Sequence, residues 1–173
     1  YYTMLSWLDM MPGTHDPLDI LSASGGSKKT DNFRIVKFPK KSLSNEYRLK
    51  FFISGVAYTS DAAKQDLITL DSRDLLSCVI EDNNRADSNA VAIINPASGH
   101  RLGYYPRYLN EDLIRVNRLL GVNDNNLVTQ IPVLKVNFSA PEQYRVFCES
   151  VTPWPDGFLP FQSYKYQSLA PSC

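Results

Sequence analysis

Oxygen ligands crowd into one short stretch of this chain. Asp82, Asn83, Asn84, Asp87 and Asn89 fall within eight residues, and the sequence then turns apolar at Ala90-Val91-Ala92-Ile93. Carboxylates and carboxamides at that density suit a hard cation such as calcium. The calcium-loop pattern, with its internal glycine and closing glutamate, is nevertheless absent. The same side chains also bond nearby backbone amides and hold tight turns. Asn89, at the start of the apolar run, is expected to close the turn in this way. Asp87 is equally suited to shaping the loop and to meeting a ligand.

Little else in the chain points to catalysis. The two histidines, His15 and His100, stand in connector and turn sequence, and His100 beside Arg101 reads as a solvated turn residue. No nucleophile motif, phosphate loop, zinc-protease motif or paired-cysteine spacing occurs, so no catalytic residue, metal or cofactor is assigned and the chain is read as non-enzymatic. Cys78, Cys148 and Cys173 are odd in number and widely spaced. The first two fall in apolar strand-like runs, where a buried free thiol and a reducing, cytoplasmic setting are expected.

A different chemistry is suggested by HRLGYYPRY (100–108), which mixes His100, Arg101 and Arg107 with Tyr104, Tyr105 and Tyr108. Aromatic faces stack on unpaired bases, and guanidinium groups between them offset phosphate charge. Arg85, in the polar loop, and Tyr58, at the end of a strand-like run, add to the set. The alternating pleat of a strand also implies that one of Tyr104 and Tyr105 packs inward. With 18 Lys+Arg against 18 Asp+Glu the net charge is zero, so attraction to nucleic acid or membrane must come from a local patch. No apolar run is long enough to span a bilayer.

The elements that hold these residues follow from periodicity. The 173 residues, 43% hydrophobic and 12% aromatic, suffice for a proper core. The spacing of Met4, Leu5, Trp7, Leu8 and Met11 predicts a short helix ended by Pro12-Gly13. Asp16-Pro17 opens a second helix, which Gly25-Gly26 stops. Strands are predicted at 33–38, 48–58, 74–81, 89–95, 127–138 and 143–151, with RLGYYP (101–106) strand-like and the last two a hairpin across Ser139-Ala140-Pro141. Gly55 marks a bulge or a close backbone approach. Helices are predicted at 60–70 and at 107–120, where Leu109, Leu113, Val116, Leu119 and Leu120 form one face before Gly121. This is an α+β chain with a small, curved, OB-like sheet or barrel and an N-terminal helical extension. Three parts are expected: an extension at 1–47, a central domain at 48–151, and a Pro- and aromatic-rich tail at 152–173 that packs on it.

FISGVAY (52–58), EDNNRADSNAVAI (81–93) and GHRLGYYPRYLNEDL (99–113), in that order, resemble the HIRAN domain. That family carries a G-x-x-Y/F segment, a loop N-x-x-D-x-N-A-I/V and a closing G-x-x-I/L-G-Y/H-x-P/K before a helix. They lie here at 55–58, 84–91 and 99–106. The resemblance implies a six-stranded barrel-like sheet with two helices. It also implies a module found alone in bacteria or at the N-terminus of Swi/Snf-type DNA-remodelling ATPases, the latter recognising the 3′ end of single-stranded DNA. Carried over by position, Tyr58 is the aromatic that stacks on the terminal base. Asp87 is the carboxylate that accepts from the 3′-hydroxyl, and Asn84 stands beside it. Ala57 replaces an Arg that meets phosphate, and Ala86 replaces a second aromatic worth about 1–3 kcal/mol per base. Arg85, Arg101 and Arg107 are the cations available to substitute. The first segments also resemble the region preceding HIRAN in bacterial proteins that begin with a module related to HipA-type kinase N-domains. Since the chain starts Tyr-Tyr, it is expected to be a piece of such a protein.

The candidate nucleic-acid-binding set is therefore Tyr58, Asn84, Arg85, Asp87, Arg101, Tyr105 and Arg107, with single-stranded DNA or a DNA end as partner. The alternative is a protein-interaction or scaffold domain that has lost the DNA pocket, presenting an apolar patch around the tail.

Overall fold

The computed structural model describes residues 1–25, 34–124, 126–163 and 166. Two short helices come first, α1 (Tyr2–Trp7) and α2 (Pro17–Ala23). Asp16 caps α2 by accepting from the Leu18 amide at 2.7 Å, with Pro17 at the first helical position. Then follow β1 (Glu46–Phe52), a one-turn 3-10 helix (Val56–Tyr58), α3 (Asp61–Thr69), β2 (Leu75–Ile80), β3 (Val91–Ile94) and β4 (Arg101–Tyr104). After these come α4 (Asn110–Leu119), β5 (Ile131–Val136), a second 3-10 turn (Glu142–Tyr144) and β6 (Val146–Pro153). The six strands form one antiparallel sheet in the order β1-β6-β5-β2-β3-β4.

This sheet curls until its two ends meet. Just past β1, the Ser54 amide donates to the Tyr104 carbonyl at 2.9 Å, and the Tyr104 amide donates back to Ser54 at 2.8 Å. Such an approach demands a residue without a side chain. A Cβ placed on Gly103 would lie 2.4 Å from the Ser54 carbonyl oxygen and 2.5 Å from Ile53. Inside the curl, Phe51, Ile53, Ile93, Leu102, Leu113 and Ile131 are fully buried. Cys78 and Cys148 are buried free thiols among them, and burial pushes the Cys78 thiol up to about 12. Cys173 lies outside the described residues.

Both flanking segments dock on this barrel. Leu5 of α1, Leu8 just after it and Ile20 of α2 pack against Phe52 and Phe147 on its outer face. At the other end, Phe158 is buried with Tyr47 and Val116, and Trp154 stacks edge-on against Tyr47 and Phe158. The buried Asp112 carboxylate accepts from the Phe161 amide at 2.8 Å and so ties the tail to α4.

Two expectations about elements need correction. The strand predicted at 33–38 does not form over its described residues 34–38, and residue 33 lies outside them. Side chains, not a ladder, hold that segment: Arg34 lies over the Tyr108 ring, Lys37 pairs with Asp19, and Phe38 meets Phe161 edge-on. The strand predicted at 48–58 ends at Phe52, because Gly55 adopts φ +71° and turns the chain into the 3-10 helix. The expected close approach at Gly55 is present but mild, 3.4 Å from the Tyr104 ring.

Gly103→Ala is expected to destabilise the fold by about 3 kcal/mol, because the Ser54 carbonyl cannot retreat without breaking the closure. Gly99→Ala meets nothing within 4 Å at φ +76°, so it should lose only about 1–2 kcal/mol from backbone strain. Urea unfolding of the two variants compares the effects, and equal losses would mean that the closure contributes nothing beyond backbone strain.

Candidate nucleic-acid interface

The polar loop hangs between β2 and β3, where the Glu81 amide donates to the Ala90 carbonyl at 2.9 Å. Its asparagines and aspartates act mainly on the loop's own backbone. Asn84 Oδ1 accepts from the amides of Ala86 at 3.0 Å and Asp87 at 3.2 Å. Asp87 Oδ1 accepts from the Asn89 amide at 3.0 Å, and the Asp87 carbonyl accepts from Ala90. The turn-closing role expected of the Asn89 side chain thus belongs to the Asp87 carboxylate, with Asn89 supplying only its amide. A carboxylate two residues before the turn's end reaches that amide with ordinary Asx-turn geometry.

The second carboxylate oxygen of Asp87 faces away from the turn. Asn110 Nδ2 donates to it at 2.9 Å, and Arg107 Nε lies 3.3 Å from it. Asn110 is almost fully buried in the first turn of α4, whereas the Arg107 side chain is 74% exposed. The Asp87 carboxylate therefore shapes the loop with one oxygen and, with the other, meets the Asn110 carboxamide and the exposed Arg107 guanidinium.

Glu81 anchors the neighbouring corner. Tyr104 donates its hydroxyl to Glu81 Oε2 at 2.7 Å, Asn84 Nδ2 donates to the same oxygen at 2.8 Å, and Arg101 Nη1 donates to Oε1 at 2.9 Å. Burial pushes the Glu81 carboxyl up, but these three donors outweigh it and hold the group below its ordinary range. For Tyr104, burial and the bond to Glu81 both push the hydroxyl up. Arg101 is thereby consumed as a structural partner, with its guanidinium also 4.9 Å above the Tyr104 ring.

The remaining candidates separate clearly. Tyr58 sits on the 3-10 turn that follows the Ser54 closure and is 89% exposed. Arg85 is exposed in the loop, and Ala57 and Ala86 are exposed as well. Tyr105 does not belong to this face. It is 2% exposed in the core, shares a hydrogen bond with Ser150 at 2.9 Å and lies edge-on to Phe51. The pleat sends Tyr104 and Tyr105 to opposite sides, and Tyr105 is the inward one. Sequence reasoning missed Glu81 and Asn110. Asn110 is the first residue of α4 and makes no cap there; its partner Asp87 lies 23 residues away, so no local sequence signal marks it.

The structure thus brings Asn84, Asp87 and Arg107 into one cluster. Asn84 also reaches Tyr104 at 3.3 Å, and through Tyr104 and Ser54 the cluster joins the turn that carries Tyr58. Among the described residues, no group of three His, Cys, Asp or Glu converges as a metal site, and no helix is long and apolar enough to cross a membrane.

Tyr58, the loop-fixed Asp87 carboxylate and the Arg107 guanidinium are all carried by a closed six-stranded barrel. The model of the HIRAN domain family matches residues 47–149, which is more than half of the chain. The chain belongs to the HIRAN domain family, a family of DNA-binding modules that are not catalytic by themselves. Among solved structures, the HIRAN domain of human HLTF is 15% identical with a TM-score of 0.45, covering 66% of this chain and 84% of that one. A protein from Lactobacillus plantarum is 17% identical with a TM-score of 0.47, covering 61% of this chain and 95% of that one. A comparison with curated proteins found no significant match.

Glu81→Gln tests the corner. A carboxyl held below its ordinary range binds its proton later than the unfolded chain does, so its stabilisation is complete above about pH 5 and is lost as pH falls through the folded value. At neutral pH the variant should be less stable by about 1 kcal/mol, a modest figure because Glu81 is partly exposed. Urea unfolding across pH should show the gap closing on acidification, and a gap independent of pH would contradict the assignment.

Proposed function

We propose that this chain binds single-stranded DNA at a free 3′ end, as one module of a larger protein. The observation that carries this reading is the Asp87–Arg107 pair on a loop already fixed by its own backbone bonds. A 3′-hydroxyl donates to a carboxylate, and the phosphate of the same nucleotide pairs with the guanidinium beside it. Arg107 supplies the cation that Ala57 does not. Tyr58 offers one stacking face, and Ala86 offers none opposite it, so binding is expected to be weaker than that of a two-sided sandwich by about 1–3 kcal/mol. The Asp87 oxygen facing the ligand is held by Asn110, so the acceptor is in place before a strand arrives.

The interaction-domain alternative needs an apolar patch at the tail. Phe158 is instead buried and Trp154 is packed on Tyr47, which removes most of that patch among the described residues. It is the weaker reading.

Fluorescence anisotropy with oligonucleotides ending in a 3′-hydroxyl or a 3′-phosphate distinguishes the two. Preference for the hydroxyl is expected, because a terminal phosphate meets the Asp87 carboxylate. Tyr58→Ala should weaken binding by about 1–3 kcal/mol. Asp87→Asn retains an acceptor for the Asn89 amide, so it should reduce the preference for the hydroxyl without unfolding the loop. Equal, negligible binding of both oligonucleotides by the wild type would sink the proposal.

A further inference from the structure

The zero net charge of the chain conceals a local surplus. Residues 34–50 hold Arg34, Lys37, Lys40, Lys41, Arg48 and Lys50, six of the 18 cationic residues, with Glu46 as their one acid. Most of this segment precedes residue 47, where the family match begins. Arg34, Lys37, Lys40 and Lys41 thus lie outside the shared domain, and Arg48 and Lys50 lie on β1 within it.

Docking of α1 and α2 on Phe52 and Phe147 lays this segment along the outside of the barrel and leaves two clefts. The first, of about 400 Å³, runs from Ser54 and Pro106 to Arg34 and Tyr108. Ser54 is half of the barrel closure, and Pro106 immediately precedes Arg107 in the chain. The second, of about 500 Å³, continues from Tyr108 to Phe38, Lys40 and Lys50. Tyr108 is the wall they share, with the Arg34 guanidinium 4.2 Å from its ring centre.

Charge in the second cleft is only partly balanced. Lys37 pairs with Asp19 at 2.9 Å, and Arg48 pairs with Glu149 at 3.0 Å and Glu46 at 2.8 Å. Those acids consume the two cations they face. Lys40 and Lys50 are exposed and have no acidic partner among the described residues. Phe38 beside them is 58% exposed. Unpaired ammonium groups next to an accessible aromatic face are what a single strand needs along its length: charge for phosphate and a ring for a base.

We propose that the N-terminal extension and β1 together build a track for single-stranded nucleic acid, in which Lys40 of the extension and Lys50 of β1 meet backbone phosphates and Phe38 carries a base. The track receives the strand that leads away from a terminus held at Asp87, and in that respect it rests on the function proposed above. It gives the module affinity that grows with strand length, separately from recognition of the end.

The test uses the full chain and 5′-labelled oligonucleotides from about 4 to about 16 nucleotides, read by anisotropy at several salt concentrations. Lys40→Gln with Lys50→Gln should weaken binding of the longest strand about tenfold while sparing the shortest. The salt dependence, log K against log salt, should become shallower by about 1.4, two phosphate contacts at about 0.7 each. Phe38→Ala should show the same dependence on length without the change in salt slope. An unchanged melting temperature confirms that these exposed substitutions leave the fold intact. Unaltered affinity and salt slope for the longest strand in the double variant would overturn the track, even if preference for a 3′-hydroxyl persists. Equal binding of 3′-hydroxyl and 3′-phosphate strands, with the lysine dependence intact, supports the track and fails the end site alone.

Discussion

Two backbone hydrogen bonds between Ser54 and Tyr104 join the ends of the six-stranded sheet, and the absent side chain of Gly103 permits them. Both halves of the candidate interface depend on that closure. On one side the chain passes from Ser54 through the left-handed Gly55 into the turn that exposes Tyr58. On the other, Tyr104 sends its hydroxyl to Glu81 and so fixes the corner from which the polar loop departs. Closure also removes the open sheet edges that would otherwise invite pairing with another chain. A barrel of this size is filled by side chains, so its rim and outer face are where a ligand can be met.

Electrostatics on that rim follow from local pairing rather than from net charge. Glu81 consumes Arg101, and the loop amides consume half of the Asp87 carboxylate. What remains outward is the other half of Asp87 with Arg107, together with the exposed Arg85. A calcium loop would need its carboxylates free to converge on one point, whereas Asp87 is committed to an amide, a carboxamide and a guanidinium. The same accounting applies to the cationic surplus of residues 34–50, where Arg48 is paired with Glu46 and Glu149 while Lys40 and Lys50 make no ion pair among the described residues.

Much of this was legible in the residues. Asp16-Pro17 announced its helix, apolar runs announced the strands, and the glycines at 55 and 121 marked a close approach and a helix end, whereas the demand placed on Gly103 became visible only in the closed sheet. Failures came where tertiary partners decide. Residues 34–38 alternate like a strand, yet their side chains found Tyr108, Asp19 and Phe161 instead of a ladder. Tyr104 and Tyr105 are chemically identical neighbours, and only the register of β4 against β3 tells which one faces in. Asn117 is polar and fully buried, satisfied by the Leu113 carbonyl and the Thr129 hydroxyl, a pattern that no hydrophobic periodicity reveals. The turn-closing side chain expected at Asn89 is that of Asp87, because residue type alone does not say which side chain reaches which amide.

The central claim is that the Tyr58 turn, the 84–89 loop and Arg107 act as one surface, positioned by the Ser54–Tyr104 closure, on which a strand end is held. Backbone amide chemical shifts, followed by NMR during titration with a single-stranded oligonucleotide bearing a 3′-hydroxyl, test it directly. The account predicts that the amides of Gly55, Tyr58, Ala86, Asp87 and Arg107 shift together with one affinity. Shifts confined to α3 and the β5–β6 hairpin, with those five amides unmoved, would contradict it.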